Sequence, residues 1–218
     1  MTHKLYNIHP NHKKISGGSI SASNLQTFID ASYKMGTDRN ENIDGYLLDR
    51  ELSGATAVVY FNPTTKHCVV IHRGTANTSD WLNNAAYIMG GYNMTDRFKQ
   101  GREIENNAIK KYGAENVSTV GHSQGAVLAR KLGKDTKEII NVNPAYINER
   151  PYYNEYDVRS SGDVVSAAKR PFTSMYNVLY PTLKGNVLTI PSAKPYNFLT
   201  EHKPSILARL PKDQLIGR

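Results

Sequence analysis

The sequence predicts an α/β fold with a mostly parallel central sheet flanked by helices, organised as one domain over residues 1–218. Two observations carry that expectation. Through the middle of the chain short β-rich runs alternate with helical patterns, the order expected of strand-helix-strand units around a parallel sheet. The 218 residues can bury one substantial core, and they hold no internal repeat or low-complexity block that would mark a second unit.

The elements follow in order. Residues 1–20 read as a loose, polar N-terminal segment. In "SASNLQTFIDASYKMG" a serine cap precedes Leu25, Phe28, Ile29 and Tyr33 at helical spacing. "ATAVVYFNPTTKHCVVIHRGT" offers two β-rich runs around the turn residues Asn62 to Lys66, a hairpin signal, and the second strand ends at Arg73-Gly74-Thr75. Thr78, Ser79 or Asp80 would then cap a helix starting near Trp81, which reads as a packing anchor. Asp96 to Tyr112 reads as a helix stopped by Gly113. The strand "VSTV" and the helix "QGAVLARKLG" come next, then the strands "EIINVNP" and "YDVRSSGDVV", the last with a loop at Gly162. Residues 207–218 read as a basic tail.

Composition narrows the function classes. An apolar fraction of 39% with 21% charged residues is ordinary for a globular chain, and no stretch reaches the ~18 unbroken apolar residues of a membrane span. The formal charge of +8 favours anionic partners, but the basic residues are scattered in pairs such as Lys13-Lys14 and Lys110-Lys111. No nucleic-acid partner is expected from that scatter; a transient contact with an anionic lipid surface is. The lone Cys68, in "HCVVI", reads as a small core residue, and without an apolar run after the first charges the N-terminus does not read as a secretory signal. An intracellular address is the expectation.

The chemistry centres on "TVGHSQGA". Gly121-His122-Ser123-Gln124-Gly125 lies where an apolar strand ends and a helix begins, the setting of a nucleophile elbow, where flanking glycines leave room for a sharp turn. A serine hydroxyl needs a base, and the base an orienting carboxylate. Of the seven histidines only His202 lies downstream of Ser123; His122, beside the serine, should turn its ring elsewhere. Among the intervening carboxylates Asp163 stands at the carboxyl end of a strand, where open α/β sheets build their sites, and Asp157, near the other end of that strand, is the weaker competitor. The backbone N–H groups of Gln124 and of Thr75, after Gly74, are the expected oxyanion donors, and Arg73 is expected to tie down its loop.

"HRGTANTSDWLNN", "TVGHSQGA" and "SSGDVVS" together resemble the class three lipase family of α/β-hydrolases, over roughly Gly45 to Ile206. The resemblance implies an α/β-hydrolase-type fold and a carboxylic-ester hydrolase of lipase, phospholipase or esterase type acting on an acyl ester or lipid. It also implies Ser123 as nucleophile, Asp163 as acid, His202 as base and Thr75 with Gln124 as oxyanion hole, with no metal or organic cofactor. Ala126 stands where the family commonly has a second glycine after the elbow. "NNAAYIMGGYNMTD", Asn83 to Asp96, reads either as a short lid or acyl-pocket rim, or as a loop covering the core. The rival expectation is a catalytically silent lipase-like module that binds a membrane or protein partner.

Overall fold

In the computed structural model, which describes residues 19–74, 96–145, 151–163, 186–193 and 198–217, eight strands form one sheet whose spatial order is their chain order. These are β2 (Asn42–Ile43), β3 (Tyr46–Leu48), β4 (Ala57–Phe61), β5 (Cys68–His72), β6 (Val117–His122), β7 (Glu138–Val142), β8 (Glu155–Ser160) and β9 (Asn186–Ile190). From β2 to β5 neighbours are antiparallel, and from β5 to β9 every pairing is parallel. The expected hairpin is the β4–β5 pair, in register Phe61↔Cys68, and its turn is held by Asn62 Oδ1, which accepts the N–H of Thr64 and of Thr65.

Period-two alternation sorts the strand residues onto two faces. Val58, Tyr60, Val69, Ile71, Val120, Ile140, Val142 and Val158 build one core, and α1 (Ala22–Ser32) lays Leu25, Phe28 and Ile29 against it. Ser21, in extended backbone, accepts Asn24 N–H at 3.2 Å and so starts that helix where the serine cap was expected. On the opposite face Ala57, Val59, Cys68, Val70 and Val117 pack with Ile104, Ala108, Ile109 and Tyr112 of α2 (Asp96–Tyr112). Each fully buried large apolar side chain contributes about 1.5–3 kcal/mol. A helix α3 (Gly125–Leu132) follows β6 and ends at Gly133, and a short α4 (Phe198–Glu201) precedes His202.

Two expectations at the chain ends need correction. Of the segment read as loose, Ile20 is buried and forms β1 (Ile20–Ser21), which pairs antiparallel with β10 (Leu215–Ile216). The residues read as a basic tail are packed: Leu207, Leu210 and Ile216 join the α1-side core, and a 3-10 helix runs over Pro204–Arg209. The charges there are real, but the apolar residues between them decide the placement, because each has a core to enter. Thr75, Thr78 to Trp81 and almost all of Asn83 to Asp96 lie outside the described residues.

Candidate active site

The turn after β6 is built by steric necessity. Ser123 takes φ +56°, left-handed backbone that costs a non-glycine residue about 1–2 kcal/mol, and it holds there because its N–H donates to Val142 O while its own O accepts Ala126 N–H and Ala145 N–H. A Cβ on Gly121 would lie 2.4 Å from Ala126 Cα, and one on Gly125 would lie 2.0 Å from His72 O. Both flanking glycines are therefore required, one by the helix folding back on the strand and the other by α3 starting against the end of β5.

Above that turn the structure brings together the three side chains that the sequence analysis singled out. His202 Nε2 lies 2.8 Å from Ser123 Oγ, and His202 Nδ1 lies 3.0 Å from Asp163 Oδ2. All three residues are buried, Asp163 almost completely. A carboxylate can only accept, so Nδ1 carries a proton, and in the neutral ring Nε2 presents its lone pair to the serine hydroxyl. Asp157 is elsewhere: on β8 it accepts from Asn141 and pairs with Arg159. Gln124 occupies the N-cap of α3, directly after the serine.

The approach to the other expected oxyanion donor is described as far as Gly74. A Cβ there would lie 3.1 Å from Ser123 Cβ, so the chain leading to Thr75 passes beside the serine. Arg97, on α2, donates to the carbonyls of Arg73 and Gly74. Behind this strand end His72 Nε2 faces Glu105 Oε2 at 2.8 Å, and Glu105 also accepts from Thr119, all of it buried.

The chain that carries His202 is anchored by residues that no motif marks. The carboxylate of Glu201, completely buried, takes a bidentate pair from Arg209 at 2.7 and 2.9 Å, Ala193 N–H at 3.2 Å and the Ser160 hydroxyl. Asn143, at φ +42° just past β7, donates to Glu201 O at 2.8 Å and accepts Ser160 N–H at 3.0 Å, fastening the ends of β7 and β8 to that chain. His122 turns away from Ser123, as expected. Its Nδ1 meets the Tyr33 hydroxyl at 2.7 Å and its Nε2 donates to His202 O at 2.9 Å. Burial, with His202 nearby, pushes its pKa down to about 3, and burial pushes the Tyr33 hydroxyl up to about 12.

Among the described residues no cluster of histidine, cysteine or carboxylate side chains could hold a metal ion. No protein-family model and no curated protein matches the chain. Several solved structures are similar, and three serve as examples. A lipase–propeptide complex from Rhizomucor miehei is 13% identical over 68% of this chain and 62% of that one, with a TM-score of 0.49. A deletion mutant of the same complex is 13% identical over 71% and 62%, with a TM-score of 0.50. A triacylglycerol lipase from Penicillium expansum is 14% identical over 78% and 77%, with a TM-score of 0.46. The chain thus spans about three fifths of the length of the Rhizomucor chains. At these identities the likeness is one of fold, and it agrees with the strand order: the chain has a lipase-like α/β fold.

Proposed function

We propose that the protein is a serine carboxylic-ester hydrolase of lipase or esterase type, a class three lipase in its finer assignment. One observation carries the reading: an unbroken run of hydrogen bonds from Ser123 Oγ through His202 to Asp163, at the carboxyl ends of parallel strands. In the proposed reaction Ser123 Oγ attacks the ester carbonyl while His202 Nε2 takes its proton, and Asp163 stabilises the imidazolium that forms. The N–H of Gln124, with that of Thr75, stabilises the tetrahedral oxyanion. Collapse expels the alcohol, which leaves with the proton from His202. Water, activated by the same imidazole, then releases the acid from the acyl-enzyme and restores the serine.

A fluorophosphonate should label the protein at Ser123, and Ser123→Ala should abolish labelling and lower ester hydrolysis by about 10⁴-fold or more. A folded wild type that resists labelling and hydrolyses esters no faster than Ser123→Ala would overturn the proposal in favour of the silent binding module.

A further inference from the structure

Three parts of the proposed site arrive from distant stretches of chain: the strand end leading to Thr75, the elbow and the histidine. Tyr33, at the end of α1, touches the first two. Its hydroxyl accepts Gly74 N–H at 2.9 Å and stands 2.7 Å from His122 Nδ1, while His122 Nε2 stands 2.9 Å from His202 O. Fit at the junction is close, since a Cβ on Gly74 would come within 2.3 Å of that hydroxyl.

The direction of every hydrogen bond here is fixed by chemistry. A carbonyl only accepts, so His122 Nε2 must carry the hydrogen toward His202 O. The ring is neutral, because burial removes the solvation its charged form would need, so Nδ1 is a bare acceptor. Tyr33 therefore donates its hydroxyl proton to Nδ1 and accepts from Gly74 with its lone pair. Reversing any one of these bonds would set two donors or two acceptors face to face, so the string has a single proton arrangement.

We propose that Tyr33 and His122 are positioning residues, a two-side-chain strut that holds the strand end before Thr75, the elbow and the main chain of His202 at fixed separations without touching substrate. The proposal rests on the reading of Ser123 and His202 as nucleophile and base. The strut fixes His202 through its carbonyl, while Asn143 and Arg209 fix the preceding Glu201. Without the strut, the Nε2 to Oγ approach and the start of the oxyanion loop would each relax, and misplacement by about 1 Å costs up to about a hundredfold in rate.

The test compares wild type with Tyr33→Phe, which deletes one oxygen. The readouts are fluorophosphonate labelling of Ser123 and steady-state hydrolysis of p-nitrophenyl butyrate. The expected result is a fall in labelling rate and kcat of about ten- to a hundredfold with KM changed less than about threefold, because the lost contact acts on the reacting geometry and not on substrate affinity. If wild type is never labelled, the hydrolase reading itself fails. If wild type is labelled and Tyr33→Phe is labelled and turns over at the same rate, only the strut fails. A readout independent of the variant's folding is the nitrogen-15 spectrum of the wild-type histidines. His122 should be the neutral Nε2–H tautomer at neutral pH, and an imidazolium or the Nδ1–H tautomer would overturn the proposal.

Discussion

Lowering the pH from neutral to about 5 should destabilise this fold sharply, through two histidines buried in the neutral form. His67 is held down to about 4, by burial first and then by the nearby Lys137, and His122 to about 3, by burial first and then by His202. In the unfolded chain both titrate at the ordinary 6.5. The folded pKa is thus the depressed one: below 6.5 the unfolded chain takes up protons that the native state refuses until about 4 and about 3, so stability is fully present above 6.5 and lost as pH falls. At about pH 5 each histidine lies roughly 1.5 units below its unfolded pKa, which at about 1.4 kcal/mol per unit is about 2 kcal/mol each and about 4 kcal/mol together. That is a large share of the roughly 5–15 kcal/mol that holds a typical domain together. Asp49 does not confuse the window. Burial works against its charge, yet the bonds from Lys111 and Tyr112 hold its pKa below 3.8, so its contribution is lost only at lower pH. Urea unfolding followed by circular dichroism should show the midpoint falling by about 1.5 M between about pH 7.5 and pH 5, for a slope near 2.5 kcal/mol/M. His67→Gln should remove about half of that dependence. A midpoint that moves by less than about 0.3 M would show that neither ring is held neutral, and the tautomer argument for His122 would fall with it.

Gly125→Ala should cost about 3 kcal/mol or more, because its Cβ would meet the backbone oxygens of His72 and Arg73 at 2.0 and 2.7 Å, neither of which can swing aside; a melting temperature within about 2 °C of wild type would contradict the geometry. Arg130→Met should cost about 3–5 kcal/mol, seen as a fall of about 10 °C in melting temperature, since it removes the positive charge that Arg130 Nη1 sets 2.7 and 2.8 Å from the buried Glu155 carboxylate. Adding Glu155→Gln should recover part of the loss, and a double variant no more stable than the single one would argue against charge burial as the cause.

Residues 96–145 were the most legible part of the chain. There good helix formers run from Asp96 to Tyr112, Gly113 and Gly133 stop helices where expected, and the elbow is announced by two glycines whose absent side chains the packing demands. The meeting of Asp163 and His202 with Ser123 was legible through chemistry, because a serine needs partners and the chain after it offers one histidine. The rest fails for identifiable reasons. β2 and β3 have two and three residues, too few to show a period, and β9, at the edge of the sheet among the described residues, has little full burial. Strands β1 and β10 exist only because the two ends of the described chain meet over α1. Tyr33 occupies a helical core position in the sequence pattern, and nothing local reveals that its hydroxyl reaches residues 74 and 122. Asn143, Glu201 and Arg209 act through contacts between distant stretches that spacing does not encode.

A comparison within the molecule shows why the arrangement of protons, and not the mere contact of serine with histidine, marks the proposed site. At the opposite end of the same sheet His67 Nε2 lies 2.6 Å from Ser118 Oγ, a contact as short as that between His202 and Ser123. There the carboxylate stands on the wrong side: Ser118 donates its hydroxyl to Glu138 Oε1 at 2.6 Å, and Ser19 donates to the same oxygen. With its proton already held, Ser118 can only accept from His67 Nε2–H, and His67 Nδ1 in turn accepts from the Tyr46 hydroxyl at 2.7 Å, whose pKa burial pushes up to about 12. The imidazole is therefore a donor to its serine and cannot act as a base. At Ser123 the order is inverted, because Asp163 claims the Nδ1 proton and leaves Nε2 free to take the serine's. The same three kinds of side chain form a structural clamp at one end of the sheet and, in the proposed function, an activated hydroxyl at the other. The difference lies in which partner the carboxylate faces, and the ends of β6 and β8 set that at the proposed site.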